Sequence, residues 1–261
     1  MKPIKKYLLI LNLSAVILTI AINYLSSAGL LNGTTIKEIS GRYNSHFTPA
    51  GYAFSIWGLI YLGLLGFAGY ALINRKDASL ATTVNRIGWL FILSCLANSL
   101  WVIAWLNNYL TLSVIIMILL LTSLISIIIR TRMELDAHPL KHYIFIYWPF
   151  AIYAGWITVA LIANISAYLT KIGWEGWGIS PYNWAIVMIA IAGIINVTMV
   201  ITRNLREFAA VGIWALYAIS VANQHENSEN IRYACYATIA IVLAFIIANG
   251  ARNKKSSIDS M

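Results

Sequence analysis

Charged residues are scarce in this sequence, and their scarcity excludes a soluble globular protein. They make up 10% of the 261 residues, whereas hydrophobic residues make up 60%. Soluble domains usually carry about 25% charged residues. The charges separate apolar runs of roughly 18 to 25 residues, the length that crosses a hydrocarbon core of about 30 Å. The composition therefore predicts an all-α integral membrane protein embedded in a lipid bilayer.

Ionisable side chains are nearly absent from the middle of the apolar runs. The carboxylates lie in the breaks and tails, except that Glu207 lies at the start of a run. Because ionisable residues inside a membrane are costly and mark proton relays or catalysis, their absence argues against both. The sequence also lacks a glycine-rich phosphate loop, a nucleophile elbow and a Cys-x-x-Cys motif. We therefore expect a protein that is not an enzyme and has no catalytic residues.

Cysteine and histidine are too few and too scattered for a disulfide framework or a metal centre. Cys95 and Cys235 both lie within apolar runs, where buried free thiols are expected. His138 and His142 are four residues apart, but Pro139 lies between them, and the other two histidines also lie in breaks. We therefore expect no bound metal and no cofactor.

The apolar runs predict eight transmembrane helices. They cover residues 7–25, 52–73, 86–106, 110–129, 143–169, 181–201, 208–223 and 231–249, and the seventh is the shortest. The first run has an alternative interpretation as a secretory signal, because lysines precede it and small residues follow it. Its length exceeds the core of about 7 to 15 residues that is typical of such signals, which favours a retained helix.

The basic residues divide unequally between the two sides of such a bundle. If the eight spans alternate in direction, one side holds 14 of the 18 Lys and Arg residues and the other holds four, namely Lys37, Arg42, Lys171 and Arg232. The positive-inside rule then predicts that both termini are cytoplasmic, and we expect the cytoplasmic (inner) membrane. Nucleic-acid binding is not indicated by the net charge of +9, because it needs a basic stripe on a solvated face.

Two connections stand out on the sparsely basic side. Residues 26–49 are too many for a simple helix connection, and long ordered loops often serve as lids or binding loops. Residues 170–181 include Trp174 and Trp177, which we assign to the aromatic belt at the membrane surface.

In place of charges, the spans contain aromatic and amide side chains, and these are the candidate ligand-binding residues. They are Tyr52, Phe54, Trp57, Tyr61, Asn98, Trp101, Trp105, Tyr153, Trp156 and Asn164. One interpretation is helix packing, since asparagines join helices by hydrogen bonds and tryptophans fill space. The other is an apolar, aromatic-lined pocket with a few polar groups, as in sites for flat hydrophobic ligands.

The spacing of these residues carries a family resemblance. The second span begins PAGYAFSIWGLIY at residue 49, the third has Asn98 three residues before Trp101, and the fifth has Tyr153, Trp156 and Asn164 in order. Over residues 7–170 the chain resembles the tryptophan-rich sensory protein (TspO), or translocator protein, family. It is more similar to a longer branch of that family, which has extra C-terminal helices.

The sequence also departs from the family pattern. Tyr52 and Phe54 each lie one residue closer to Trp57 than in the short members, and Trp105 stands where a Phe is usual. A sterol-type motif at the end of the fifth span fails, because six residues separate its aliphatic and tyrosine positions and the motif requires one to five. Sterol binding is therefore not expected.

The resemblance implies a fold, a domain division and a class of ligand. The expected fold is a TspO-like five-helix bundle in residues 1–172, followed in residues 173–261 by three further helices and a short basic tail. The family often forms homodimers and binds porphyrins or other flat apolar ligands beneath the loop between its first two helices, here residues 26–49.

The leading functional hypothesis is a non-enzymatic membrane receptor or carrier with a sensory or regulatory role. Its ligand would be a flat hydrophobic small molecule such as a tetrapyrrole. One alternative is a secondary transporter, in which the last three helices would form a moving element. Another is a membrane enzyme that degrades the bound ligand by a redox or photochemical route, since no acid–base set is present.

Overall fold

The computed structural model describes residues 6–43, 45–225 and 228–258, with side chains as far as residue 251. Within these residues the fold is all-α, without strands, and has ten α-helices of seven or more residues. They are α1 Lys6–Ser27, α2 Ile36–Arg42, α3 Ile56–Ile73, α4 Ala78–Ile87, α5 Leu90–Leu106, α6 Leu110–Arg130, α7 Trp148–Lys171, α8 Pro181–Arg203, α9 Arg206–Ala222 and α10 Glu229–Ile258. A 3₁₀ turn (Gly51–Ser55) leads into α3, and a π-helical turn (Tyr143–Tyr147) leads into α7.

Six helical segments of the described chain are long and apolar enough to cross a membrane. They are Lys6–Ser27, Gly51–Ile73, Leu110–Arg130, Leu140–Lys171, Pro181–Arg203 and Glu229–Ala251. A seventh candidate is the pair α4 and α5, which are bent by 45° relative to each other. The protein is therefore a multi-pass helical membrane protein with six or seven candidate spans, and the sequence predicted eight.

Two of the eight predicted spans account for the difference from the six or seven candidate spans of the structure. The predicted seventh span corresponds to α9, whose 17 residues reach only about 25 Å at 1.5 Å per residue. The predicted third span, residues 86–106, is wrong at its start, because residues 86–87 belong to α4. The break falls at Gly88, whose φ of 51° and ψ of −132° end the helix. Glycine adopts this region without the steric cost that a side chain brings.

Five helices form the first part of the bundle. Helix α1 packs against α3 and α5, α5 packs against α6, and α6 packs against α7, which also contacts α3. The close approach of α3 to α7 depends on Gly63, where an added Cβ would lie 3.2 Å from the Cβ of Pro149. Small residues at helix contacts let backbones approach closely, which stabilises helix pairs in a bilayer.

The last three helices join this bundle through α9. Helix α9 packs against α7, and α10 packs against α8 and α9. At the contact of α7 with α9, a Cβ added to Gly155 would lie 2.7 Å from the carbonyl oxygen of Phe208. One hydrophobic core runs from Leu9 in α1 to Cys235 in α10, so the last three helices share the core of the first five.

Residues 28–43 and 45–55 form the α1–α3 connection, which crosses one end of the bundle. Helix α2 within it has a capping box, in which Thr35 and Glu38 satisfy each other's backbone N–H groups. Two hydrogen bonds tie the connection to the end of α5: Asn32 Nδ2 donates to Leu106 O (2.8 Å), and Trp105 Nε1 donates to Ile36 O (3.2 Å).

The same connection is also tied to α9. Asn223, which follows α9, donates from Nδ2 to His46 O (2.8 Å), and Ala50 N donates to Ala218 O (3.0 Å). Trp214 Nε1 donates to Ala53 O (3.3 Å). The α1–α3 connection is therefore held at one end by α5 and at the other by α9.

Candidate functional site

A small cavity lies beneath the α1–α3 connection, where α3, α5 and α7 meet. Its volume is about 40 Å³. Side chains of the three helices and of the connection line it: Ile36, Ser40, Tyr43, Thr48, Pro49, Phe54, Trp57, Trp101, Trp105, Trp156, Val159, Ala160, Ala163, Asn164 and Ala167. Four tryptophans from three different helices thus border one space.

Two aromatic groups form the walls of this cavity. On one side, Trp57 and Phe54 each meet Trp156 edge to face, with ring centroids 6.3 Å and 6.0 Å from that of Trp156. On the other side, Trp101 stacks on Trp105, with centroids 5.8 Å apart and planes 24° apart. Offset-stacked and edge-to-face pairs are the favoured arrangements of aromatic rings. Contacts between rings within each wall therefore stabilise the position of its aromatic side chains.

Hydrogen bonds fix the second aromatic group. Trp101 Nε1 donates to Asn164 Oδ1 (2.9 Å), and Asn164 Nδ2 donates to Ser113 Oγ (2.9 Å), which joins α5, α7 and α6. The indole of Trp105 bonds instead to the backbone of Ile36 in the α1–α3 connection. One tryptophan of the stack is thus fixed to the bundle and the other to its cover.

Asn98 and Tyr153 lie outside the lining and bond to each other. Asn98 Nδ2 donates to the Tyr153 hydroxyl (2.9 Å), and Asn98 Oδ1 accepts from Asn23 Nδ2 (2.8 Å). Both residues are fully buried. Their polar groups therefore join α1, α5 and α7, and they position Trp57, whose ring lies edge to face with that of Tyr153 at 6.0 Å.

A wider groove adjoins the cavity on the side of α1. Its volume is about 580 Å³, and it is lined by Ile20, Asn23, Tyr24, Ser27, Thr35, Ile36, Lys37, Phe54, Ser55, Trp57, Gly58 and Tyr61. Ile36, Phe54 and Trp57 border both spaces and therefore form the partition between them. Tyr61 stacks on Trp57 with centroids 5.3 Å apart.

Two buried polar atoms beside these spaces have no hydrogen-bond partner within the described part of the chain. They are the Trp156 Nε1 atom and the Tyr61 hydroxyl. Buried polar atoms in native structures nearly always have a partner, so each one without a partner calls for an explanation. These two atoms can hydrogen-bond a polar edge of a ligand.

A comparison with protein families identifies the family of this chain. A model of the TSPO-like protein family matches residues 9–248. The chain belongs to the TSPO-like family. The match continues through α8 and α9 into α10, beyond residue 170, where the residue motifs end. No curated protein and no solved structure matches the chain.

Besides Asn98 and Tyr153, a third candidate residue of this TSPO-like chain lies outside both linings. Tyr52 borders neither the cavity nor the groove; it is 40% exposed and meets Trp214 of α9 edge to face, with centroids 5.3 Å apart. The 3₁₀ turn Gly51–Ser55 directs Phe54 to the cavity and leaves Tyr52 against α9. Spacing along an α-helix does not anticipate a 3₁₀ turn, so the sequence did not separate these two aromatic residues.

The sequence analysis missed the lining residues that the α1–α3 connection supplies. Ile36, Ser40 and Tyr43 border the cavity, and Thr35 and Lys37 border the groove. The only signal for them was the length of the connection, which does not indicate which side chains turn inward.

No three His, Cys, Asp or Glu side chains of the described chain lie together as a metal site would need. The rings of His138 and His142 stack face to face instead, with centroids 4.0 Å apart and planes 7° apart.

Proposed function

We propose that this TSPO-like protein is a membrane receptor or carrier that binds a flat hydrophobic small molecule, with a tetrapyrrole as the leading candidate. The observation that carries the proposal is the convergence of Trp57, Trp101 and Trp156, from three different helices, on one covered cavity. Flat ligands gain from stacking on such faces, and apolar pockets with a few polar groups are the usual form of their sites.

The size of the two spaces indicates how such a ligand enters. The cavity, at about 40 Å³, is far below the roughly 300 to 1,000 Å³ of ligand pockets, whereas the adjoining groove has about 580 Å³. A ligand therefore occupies the groove first and reaches the aromatic walls when Ile36 and the rest of the α1–α3 connection move outward. The connection acts as the lid of the site.

The polar atoms of the site divide into two roles. Trp156 Nε1 and the Tyr61 hydroxyl bond polar edges of the ligand, because they have no partner in the described chain. Asn98, Tyr153 and Asn164 position the aromatic walls through their bonds between helices. The protein performs no chemistry on the ligand in this proposal and has a sensory or regulatory role.

The arrangement in the membrane is part of the proposal. With α9 as an eighth, short crossing, the chain crosses the inner membrane an even number of times, and both termini are cytoplasmic. The split of 14 basic residues against four supports this orientation. The chain would then consist of the bundle of residues 1–172 and the three-helix extension of residues 173–261, and two copies would associate as a homodimer.

A comparison of tryptophan variants tests the site. Purified protein in detergent is titrated with protoporphyrin, and binding is followed by quenching of tryptophan emission. Trp156→Leu should weaken binding by about tenfold, because a stacking contact contributes about 0.5 to 1.5 kcal/mol beyond area burial. Trp57→Leu and Trp101→Leu should also weaken it.

The matched control is Trp89→Leu, an exposed tryptophan just before α5 that lines neither space. It should bind protoporphyrin with unchanged affinity. Thermal melting shows whether each variant is folded. Equal affinity of all four folded variants and the parent protein would return the three tryptophans to a packing role and reject the site.

A further inference from the structure

A second cavity lies at the same end of the bundle as the α1–α3 connection, but beside α8. It has a volume of about 360 Å³, within the range of roughly 300 to 1,000 Å³ that is usual for ligand pockets. The end of α7, the following loop, the start of α8 and residues 45–47 enclose it, and it shares no lining residue with the tryptophan cavity or its groove. It is therefore a separate space.

Aromatic rings form one wall of this second cavity. Trp174 and Trp184 both line it, with centroids 5.2 Å apart and planes 49° apart. Trp184 Nε1 donates to Gly176 O (2.9 Å), so its N–H group is already bonded. What the two indoles offer a ligand is π surface. Trp174, which the sequence analysis assigned to the aromatic belt, therefore borders a cavity, whereas Trp177 is 82% exposed.

The electrostatics of the cavity favour a cation. Among the described residues that line it, Glu175 has the only formally charged side chain, a carboxylate, in a chain whose net charge is +9. The C-terminal end of α7, at Thr170, adds the negative end of a helix dipole. The N-terminal end of α8 also faces this region and carries the positive end of its helix dipole. That positive charge is reduced, because Pro181 has no N–H group and the N–H group of Asn183 is bonded to Ser180 Oγ.

The orientation of His46 adds an acceptor. Asn223 donates from Nδ2 to His46 O and to Ile219 O, which fixes its amide, so Asn223 Oδ1 is the atom that faces His46 Nδ1 at 3.2 Å. Because Oδ1 only accepts, this contact selects the tautomer in which Nδ1 carries the proton. The other ring nitrogen, Nε2, is then an acceptor on a residue that lines the cavity.

We propose that this cavity binds an organic ammonium ion, a protonated amine attached to an apolar or aromatic body. The indole faces of Trp174 and Trp184 attract the cation, Glu175 balances its charge, and His46 accepts an N–H bond. Either a lipid with a primary ammonium headgroup or a free amphiphilic amine has this chemistry. The site does not depend on the tetrapyrrole site, because the two share no residue.

A pair of probes that differ in charge tests the site. The purified full chain in a neutral maltoside detergent at pH 7 is titrated by calorimetry with 2-naphthylmethylammonium and with its neutral analogue 2-naphthylmethanol. The amine should bind about tenfold more tightly than the alcohol. Glu175→Gln should weaken amine binding by about two- to fivefold and leave alcohol binding unchanged, since the carboxylate is exposed.

Two variants serve as controls, one at a glutamate and one at a tryptophan outside this cavity. Glu229→Gln removes a carboxylate at the start of α10 that is outside the cavity, and Trp156→Leu alters only the tetrapyrrole site. Both should bind the amine as the parent protein does. If Trp156→Leu loses protoporphyrin binding but keeps amine binding, the two sites are independent.

The outcomes decide both the proposal and the source of the ligand. Displacement of the probe by short-chain phosphatidylethanolamine but not by phosphatidylglycerol supports a lipid headgroup, and displacement only by free amines supports a solute. Equal affinity of the parent protein for the amine and the alcohol rejects the site. An unchanged preference for the amine in Glu175→Gln rejects it as well.

Discussion

Trp105 and Trp156 show that one residue type has two roles at the tryptophan cavity. The Trp105 indole bonds to the backbone of Ile36, so this side chain holds the cover in place. The Trp156 indole has no partner in the described chain, although the residue is only 2% exposed. The difference lies in what surrounds each N–H group. A count of tryptophans in the sequence therefore does not separate residues that hold the lid from residues that are free to contact a ligand.

Glu134, in the connection between α6 and α7, is a residue whose ionisation should make the stability of the fold depend on pH. Burial and, to a smaller extent, the nearby Glu207 raise the pKa of its carboxyl to about 7, against the opposing effect of Arg206. In the unfolded chain this carboxyl has its ordinary pKa of 4.5. Between these two pKa values the unfolded state loses its proton first, so the contribution of this residue to stability falls as pH rises from about 4.5 through 7.

Replacing Glu134 by Gln removes this pH dependence. We expect the melting temperature of Glu134→Gln to exceed that of the parent protein at pH 8 and to equal it near pH 4.5. Thermal melts of detergent-purified protein at the two pH values measure the effect. Asp136→Asn is the matched control, because the hydrogen bond from Arg132 lowers the pKa of Asp136, and its removal should not stabilise at pH 8. A pH-independent difference for Glu134→Gln would contradict this assignment.

At the scale of helices, α9 does more than fill space beside α7. It contacts the α1–α3 connection through Trp214, Ala218 and the following residue Asn223, over a stretch of connection that covers the tryptophan cavity. A short bundle of five helices has no counterpart to these contacts. The extension thereby gains a role in the proposed site, since it holds one end of the lid.

Removing the Asn223 side chain should loosen that end of the lid. Asn223→Ala deletes the bonds to His46, and a hydrogen bond contributes about 0.5 to 1.5 kcal/mol. Amide exchange at Ala50, whose N–H group bonds to Ala218 O, should therefore accelerate by up to about tenfold. Hydrogen–deuterium exchange with mass spectrometry measures this.

The control for this experiment is Asn107→Ala. Asn107 also bonds a backbone carbonyl, Ile103 O, but it lies at an exposed helix end and makes no hydrogen bond to the α1–α3 connection. Exchange at Ala50 should be unchanged in this variant. If Asn223→Ala and Asn107→Ala behave alike, α9 does not hold the lid.

At the scale of the whole molecule, the two ends of the bundle differ in chemistry. In the predicted topology of eight alternating spans, the α1–α3 connection, the residue 172–180 loop and both cavities lie on the side to which four of the 18 basic residues are assigned. The same prediction assigns the other 14 to the opposite side. On the positive-inside rule, a ligand would reach either site from outside the cytoplasm.

Thiol labelling in intact cells tests this orientation. In a variant lacking Cys95 and Cys235, a cysteine at Gly41 should react with a membrane-impermeant reagent, and an added Cβ at this position meets nothing within 4 Å. Cysteines at Ala78 or Ala137, both exposed at the opposite end, should be protected until the cells are opened. Labelling of Ala137→Cys with protection of Gly41→Cys would reverse the proposed topology.

The sequence alone determined that this is a helical membrane protein, and it located most spans closely. The predicted spans 110–129 and 181–201 correspond to Leu110–Arg130 and Pro181–Arg203. This accuracy has a physical reason: without water in the bilayer core, backbone groups must bond within their own segment, so a long apolar run must become a helix. Family membership was also readable, because residues that converge in space kept their spacing along three helices.

Only the tertiary structure decided where the polar and aromatic side chains point. Tyr52 and Phe54 are two residues apart, yet one meets α9 and the other lines the tryptophan cavity. His46 and Glu175 lie in different connections, and they line one space because α7, α8 and α9 pack together. In lipid, every face of an apolar helix is compatible with its surroundings, so hydrophobicity does not specify which face turns inward. Close packing at residues such as Gly63 and Gly155 specifies it instead.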